Sequence, residues 1–250
     1  MEASLSPRGP DMLFDVVGEL GIGPAQRVLD IGCRDGKQAL ALARRFACHV
    51  IGVEPVQANL DRGRALMEAA GREEPEVASR VELVRGQIEA IPFPDGSFDL
   101  VWARDMLIHV PDLVGAFVES KRVLAPGGRM LLFQMFATPW LEVGDAARLW
   151  PPLAALTQNA DPAHFERCVV EGGLRIESRD EIRSEWREYL EETGPGRTSR
   201  QLLHAARLIR EPDRFVKQLG RTGYETELAN CLWGAYQMIG KLSPRVYLLA

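Results

Sequence analysis

The sequence predicts an α/β fold, a doubly wound and mostly parallel sheet flanked by helices. Two observations carry this expectation. The stretch Val28-Leu29-Asp30-Ile31-Gly32-Cys33-Arg34-Asp35-Gly36-Lys37 is an apolar run ending in an acid and a glycine-bearing turn, and residues 38–46 continue at helical spacing. That is strand, tight turn and helix, the opening of a βαβ unit in which a nucleotide-like ligand can approach the backbone. Strand and helix patterns then alternate as far as Phe136, as a sheet with parallel crossovers requires.

Taken in order, residues 1–10 are small and polar with two prolines and read as a loose arm. Asp11 can cap a helix running to Glu19, which places Leu13, Phe14, Val17 and Leu20 on one face. The first strand follows Gly21-Ile22-Gly23-Pro24. The helix after the glycine turn ends near Cys48, and residues 49–53 form strand two. Residues 58–70 read as a helix, 72–78 as a charged connector, 81–84 as strand three and 98–103 as a buried strand four. A helix over 113–123, a turn at Pro126-Gly127-Gly128 and strand five over 130–136 complete the alternation. Beyond Phe136 the rhythm changes. Residues 140–160 are irregular around Pro151-Pro152, 162–171 are helical, and 174–178 form a short strand. Helices over 181–192, 199–209, 213–219 and 225–239 precede a closing strand at 246–249.

Composition narrows the function. A chain of 250 residues suits one α/β domain with an inserted subdomain. The net charge is −5 with arginines interleaved among acids, which argues against extended phosphate-backbone contacts and so against nucleic acid. No apolar run approaches a membrane span, and the N-terminal stretch lacks an apolar signal core. Cys33, Cys48, Cys168 and Cys231 are scattered without metal-ligand spacing, so reduced thiols in a cytoplasmic protein are expected.

The ligand expectation comes from strand two. It ends at Glu54, twenty-two positions after Gly32, where a carboxylate can accept hydrogen bonds from both hydroxyls of a ribose. Glycine at 32 and 36 tolerates unusual dihedrals and leaves room for such a ligand. An adenosine derivative is therefore expected.

These residues resemble the class I S-adenosylmethionine-dependent methyltransferases. The family pattern is an acid followed by G-x-G-x-G, with an acid ending the second strand; Asp30, Gly32, Gly36 and Glu54 match, and Arg34 replaces the middle glycine. Ile91-Pro92-Phe93-Pro94-Asp95-Gly96-Ser97-Phe98-Asp99 and Arg122-Val123-Leu124-Ala125-Pro126-Gly127-Gly128-Arg129 extend the match. The resemblance implies a Rossmann-like, seven-stranded sheet whose strands six and seven form an edge hairpin. Here a helical lid over about 183–240 separates those two strands. Residues 1–136 then form the cofactor-binding core, and residues 137–250 a substrate-side segment of the same domain.

The resemblance also implies the cofactor, S-adenosyl-L-methionine, and its contacts. Asp30, Gly32, Gly36, Glu54 and Pro55 would surround its methionine and ribose parts, with Arg104 at the end of strand four lining the same cofactor crevice. Gln87 and Ile88 stand where the family has an acid and a small residue. The Gln87 carbonyl oxygen could accept from the adenine amino group, and the Ile88 backbone N–H could meet a ring nitrogen. The alternative is a solvated Gln87 with adenine held by packing. Arg34 either points outward, pairing with Asp35 or Glu89, or crowds the methionine end of the cofactor. The outward reading is preferred, because the four matching motif residues would otherwise have little reason to coexist.

Transfer of a methyl group from a sulfonium is a displacement at carbon, for which alignment alone supplies much of the rate. The candidate for additional chemistry is Arg104-Asp105-Met106-Leu107-Ile108-His109, after strand four. Coiled as a helical turn, it would put Asp105 and His109 on one face, a carboxylate orienting an imidazole that accepts the acceptor's proton. The stretch is similar to the R-D-x-x-L-H segment of the phosphoethanolamine methyltransferases, where the acid and histidine sit at the amine site. Those enzymes also use an N-terminal tyrosine, and the first 48 residues here contain none. A histidine that only braces the turn is the competing reading, and structural roles are expected for His49, His164 and His204. Trp140, Trp150, Trp186, Tyr189, Trp233 and Tyr236 are expected in the core or around an apolar or cationic acceptor. With no D-x-x-D-type cluster at a motif end, metal-independent catalysis is expected. The reading is an enzyme of EC 2.1.1 type that methylates nitrogen or oxygen of a small metabolite or natural product. Its rivals are a protein methyltransferase, a related fold with another reaction, and a non-catalytic adenosyl-ligand sensor.

Overall fold

The computed structural model describes residues 4–194 and 196–250. Its strands are β1 (Arg27–Ile31), β2 (His49–Glu54), β3 (Val81–Arg85), β4 (Phe98–Arg104), β5 (Leu124–Ala137), β6 (Ile176–Glu181) and β7 (Leu242–Leu249). They form one seven-stranded sheet in the order β3-β2-β1-β4-β5-β7-β6. The pairs β1–β2, β2–β3, β1–β4 and β4–β5 are parallel. The β6–β7 end is antiparallel. Arg175 and Ala250 exchange backbone hydrogen bonds of 2.8 and 2.9 Å beside those strands, and Ile182 N–H donates to the Pro244 carbonyl. Strands β1, β2 and β4 are mostly buried apolar runs because parallel crossovers place helices on both faces, whereas β3, at the sheet edge, is only partly buried. The direction of winding reverses between β1 and β4, which is where such sheets open a crevice at their carboxyl edge.

The helices are α1 (Met12–Glu19), α2 (Lys37–Phe46), α3 (Gln57–Glu73), α4 (Pro75–Ala78), α5 (Leu113–Val123), α6 (Val143–Leu149), α7 (Pro162–Glu171), α8 (Glu185–Glu192), α9 (Arg197–Arg210) and α10 (Pro212–Met238). Helix α1 buries Leu13, Phe14 and Val17, the face expected of it. The side chain of Asp112 starts α5 by accepting from the Gly115 N–H at 2.9 Å. No helix among the described residues is long and apolar enough to cross a membrane.

The chain resolves into two compact units. One comprises Leu13–Gln134, Glu166–Arg179 and Val246–Ala250; the other comprises residues 4–12, 135–165 and 180–245. In the first, Trp102, Phe98, Phe117, Leu29, Ile31 and Leu42 are among the largest fully buried side chains. In the second, Phe136 meets Phe165 edge-on at 5.2 Å, and Trp150 meets Trp233 edge-on at 5.8 Å.

Several elements differ from their sequence-based expectation. The connector at 72–78 contains α4, started by Pro75 at its first position, where the missing N–H costs nothing. Pro126-Gly127-Gly128 does not precede β5 but bulges within it. Leu124 pairs with Phe98 and Arg129 with Leu100, so β5 spends five residues where β4 spends two. A Cβ on Gly128 would stand 3.0–3.1 Å from three carbonyl oxygens, which is why the bulge carries glycine there. Helix α8 starts at Glu185 rather than 181, because the sheet holds the chain to Ile182. The break expected between residues 219 and 225 is a single residue, Gly220, at φ 74° and ψ 164°.

Of the N-terminal arm, residues 1–3 lie outside the described residues, and residues 4–10 are not loose. Arg8 forks between Asp180 and Glu185, bonding the latter at 2.7 Å through both Nε and Nη2. A Cβ on Gly9 would lie 2.7 Å from the Tyr189 ring, and the Met12 sulfur accepts from Trp186 Nε1–H at 3.4 Å. The sequence offered only small and polar residues, whereas the arm is held by its single arginine. Exposed ion pairs of this kind contribute roughly 1 kcal/mol or less each. Arg8→Ala should therefore raise amide exchange of residues 5–11 several-fold in mass-spectrometric measurements and shift the melting temperature by only a few degrees. Unchanged exchange would show that Gly9 and Met12 hold the arm without the arginine.

Candidate active site

The candidate residues converge at the carboxyl edge of β1, β2, β3 and β4. Register places Ile31 beside Val53 and Ala103, and Glu54 beside Arg85, so each strand ends at a similar level. The first turn is lashed to β2. Gly32 N–H and Cys33 N–H both donate to the Val53 carbonyl, at 2.8 and 3.2 Å. Gly32 has φ 71°, and a Cβ on it would stand 2.8 Å from Met106 Cγ. Gly36 has φ 74° and caps α2, with its N–H on the Cys33 carbonyl at 2.9 Å.

Arg34 occupies the same left-handed region, at φ 52°. A non-glycine residue there costs on the order of 1–3 kcal/mol, which surrounding contacts must offset. The Arg34 N–H donates to Glu54 Oε2 at 3.0 Å. Its side chain is exposed, and Asp35 pairs with Lys37 at 2.6 Å.

Glu54 is 4% exposed and holds three donors. Besides the Arg34 N–H, it accepts from the Val56 N–H at 3.1 Å and Asn59 Nδ2 at 2.8 Å, both through Oε1. A carboxylate offers about four acceptor directions. Asn59, on the first turn of α3, is a participant that the sequence reading missed; an amide five positions after the strand-ending acid was the available signal. Pro55, next to Glu54, is exposed.

Asp30 is 2% exposed, and its Oδ2 has no hydrogen-bond partner. Burial pushes its carboxyl up to about 7, against the opposing pull of Arg104 and the Ala39 backbone N–H; Glu54 adds to the rise. Oε1 of Gln38 is likewise buried and unpartnered. Two orphaned acceptor oxygens beside a glycine turn suit a ligand that brings N–H or O–H donors and positive charge. The native state holds the Asp30 proton between roughly pH 4 and 7, where the unfolded chain has released it. Its contribution to stability therefore falls as pH rises through that window and is level above it, by on the order of 4 kcal/mol at most. Asp30→Asn in the ligand-free protein should remove this downward slope from a pH series of denaturant titrations. Parallel slopes in both proteins would show that Asp30 is already ionised by its neighbours.

Beyond β3, the Gly86 N–H donates to the Glu54 carbonyl at 3.3 Å, and Gln87 bridges to Ala90 across a tight turn. Gln87 is exposed, and the Ile88 side chain is 2% exposed. The chain that follows is held by Arg122, whose guanidinium donates to the Ile91 and Phe93 carbonyls at 3.0 and 2.8 Å and to Asp95 and Glu119 at 2.8 Å. Glu119 in turn accepts from the Ile91 N–H at 3.0 Å. Its carboxyl is pulled below the usual range by Arg122. The two motif stretches around Pro92 and Arg122 are thus one hydrogen-bonded assembly.

Arg104 is the last residue of β4 and is half-buried opposite Phe133. Asp105 then turns left-handed at φ 54°, with its N–H on the Phe133 carbonyl at 2.7 Å. A 3₁₀ turn over Leu107–His109 follows, anchored by buried Leu107 and Ile108, with His109 exposed. The helical turn expected over this stretch is therefore absent at Asp105, and no helical four-residue step relates Asp105 to His109. The chain must leave β4 abruptly, and Asp tolerates the left-handed conformation better than most residues.

In the other unit, Tyr236 donates its hydroxyl to Asp145 Oδ1 at 2.7 Å, and Lys241 pairs with Oδ2 of the same carboxylate. Burial and this acceptor push the Tyr236 phenol up to about 12. Trp186 and Tyr189 serve the N-terminal arm, and Trp140 is 75% exposed.

The sheet order and the glycine turn after β1 define a Rossmann-like fold. A methyltransferase-domain family matches residues 29–132. Over that stretch the chain is similar to the S-adenosylmethionine-dependent methyltransferases. A sterol 24-C-methyltransferase of Gibberella zeae is 33% identical over 119 residues, covering 48% of this chain and 30% of the relative. The 27-O-demethylrifamycin SV methyltransferase of Amycolatopsis mediterranei is 29% identical over 169 residues, covering 67% and 60%. The chain thus spans from under a third to three-fifths of the length of these relatives. Among solved structures, Haemonchus contortus phosphoethanolamine N-methyltransferase 2 with S-adenosyl-L-methionine has a TM-score of 0.68 at 18% identity, covering all of this chain and 54% of the other. The [4+2]-cyclase SpnF has a TM-score of 0.69 at 20% identity, covering 96% and 79%.

Proposed function

We propose that this protein is an S-adenosyl-L-methionine-dependent methyltransferase that acts on nitrogen or oxygen of a small metabolite or natural product. The observation that carries the reading is the methyltransferase-domain match over a carboxyl edge where Asp30 and Glu54 are buried acceptors around a glycine turn. The names of the relatives, a sterol and a rifamycin methyltransferase, support a small-molecule acceptor. When bound, the cofactor supplies an electrophilic methyl group on a sulfonium.

The chain's own residues would hold it. Gly32 and Gly36 keep the turn open, Asp30 faces positive charge, and Glu54 accepts from the ribose hydroxyls. Since three donors already occupy Glu54, one hydroxyl takes the remaining direction and the other displaces the Asn59 amide, the one donor on a side chain. Gln87 and Ile88 would meet the adenine. Arg104 ends β4 and would line the cofactor crevice, and in the segment beyond it exposed His109 can accept a proton from the acceptor and Asp105 can orient it. Acceptor selection is assigned to residues 183–240, which lie outside the domain match at 29–132.

Glu54→Ala should weaken S-adenosylhomocysteine binding by about 1–3 kcal/mol, since a charged acceptor for two hydroxyls is lost. Asn59→Ala should change it by less than about threefold, or tighten it. Calorimetry that finds the two variants equal would remove Glu54 from the ribose site.

Transfer of label from tritiated cofactor to a mixed library of small acceptors tests the activity itself. A second reading, a cofactor-binding fold with another reaction, is favoured by the likeness to a [4+2]-cyclase. Tight cofactor binding without label transfer to any acceptor would select it. With an alcohol or ammonium acceptor, His109→Ala should lower turnover about a hundredfold or more while cofactor affinity holds, and Asp105→Asn should lower it less. Near-normal turnover in the His109 variant would make alignment the whole of the catalysis.

A further inference from the structure

Helices α9 and α10 enclose a small apolar cluster of Ala205, Leu208, Tyr224 and Cys231, with Phe215, Val216 and Leu228 packed against it. At its rim stand three side chains of different donor chemistry. Glu227 and Cys231 are one helical turn apart and share a face of α10; His204 meets them from α9. The His204 Nδ1 lies 3.4 Å from Glu227 Oε1. The imidazole nitrogen, the carboxylate oxygen and the Cys231 sulfur all lie within 4.8 Å of one another.

These separations are informative. An N–H···O hydrogen bond is usually about 2.9–3.0 Å long, so the His204–Glu227 pair is loose for one. Two ligands bonded at about 2.0–2.1 Å to a tetrahedral ion stand roughly 3.4 Å apart, which matches it. The side chains of His204 and Glu227 are 45% and 41% exposed, whereas Cys231 is 3% exposed. An ion therefore has a path in from solvent, a soft donor beneath it and an open side for water.

We propose that His204, Glu227 and Cys231 form a structural zinc site that cross-links α9 to the part of α10 beyond the Gly220 break, with water as the fourth ligand. Thiolate, imidazole and carboxylate together suit zinc, whereas magnesium and calcium take oxygen ligands. One thiolate and one carboxylate also balance the charge of a divalent ion in this half-buried position. As the sulfur–zinc bond forms, the thiol proton leaves to solvent, and the neutral imidazole binds through Nδ1 with its proton on Nε2. Without a cation, burial and Glu227 hold the thiol up at about 11, so it stays neutral among its apolar neighbours.

The test uses the full chain, stripped of metal by a chelator and titrated with cobalt(II) alone and then zinc(II) alone. One equivalent of cobalt should produce a thiolate charge-transfer band and the intense visible bands of a tetrahedral ion, and zinc should displace both. Cys231→Ser should lose the charge-transfer band, and Cys168→Ser should keep it. His204→Ala and Glu227→Gln, at half-exposed positions, should each weaken zinc at least tenfold in chelator competition with the metal-free melting temperature unchanged. These two variants carry the test if Cys231→Ser does not fold. Absence of a saturable cobalt spectrum, or zinc affinity unchanged in His204→Ala, overturns the site.

Discussion

The carboxyl edge of the sheet depends on the way the β1–α2 turn is tied to the end of β2. One carbonyl, that of Val53, accepts from two consecutive N–H groups of the turn. The next residue, Glu54, accepts from a third through its side chain. Three donors that a tight turn would otherwise leave to water are thereby satisfied from the neighbouring strand. The tie explains how Arg34 can replace a glycine: its left-handed conformation is strained, but its N–H points at a buried carboxylate. A charge-assisted hydrogen bond is worth about 1.5–3 kcal/mol, comparable with the strain. The replacement changes the side chain while leaving the backbone path that a glycine would take.

The same tie couples ligand and fold. Glu54 organises the turn, the N-terminal end of α3 and, through its own carbonyl, the Gly86 N–H after β3. A ligand hydroxyl placed on this carboxylate competes with groups that already shape the site. Asp30 is the complementary case. Its Oδ2 has no hydrogen-bond partner, and burial, with a smaller contribution from Glu54, raises its affinity for a proton. One acid is mostly occupied by the protein's own donors, and the other has an oxygen without a donor. That asymmetry separates a scaffold role for Glu54, with spare capacity, from an electrostatic role for Asp30.

Much of this was legible in the sequence because it follows from short-range pattern. Apolar runs, glycine turns and strand-ending acids each announce themselves within ten residues, and the strands through β5 lie where the alternation put them. What stayed illegible depends on groups distant along the chain. Arg122 reads as the end of a helix, and only folding brings it to the Ile91 and Phe93 carbonyls. Strand β7 begins at Leu242 and runs through Ser243-Pro244-Arg245, where neither propensity nor alternation signals a strand. The turn at Asp105 was hidden because a helical reading of R-D-M-L-I-H satisfies local pattern as well as the observed left-handed residue followed by a 3₁₀ turn. For Cys231, spacing to other cysteines carries no signal; its companions are a carboxylate one turn earlier and an imidazole on another helix.

A fold shared with a cyclase shows that this scaffold does not by itself dictate methyl transfer. The residues matching the family pattern concern the cofactor, and they lie within Leu13–Gln134. The other unit carries no counterpart of those motifs. Its polar groups are instead joined into local networks: Tyr236 and Lys241 on Asp145, Arg187 on Gln201 and Gln237, and Arg8 on Asp180 and Glu185. Each network fixes one helix or strand end by side-chain bonds, and side-chain bonds can be exchanged without disturbing the sheet. Substitutions are therefore physically easiest there, whereas changes at Asp30, Gly32 or Glu54 must preserve the turn's backbone bonds. The cofactor half is constrained by backbone geometry and the other half by side-chain pairing. That difference is why sequence pattern speaks clearly about the first unit and only in general terms about the second.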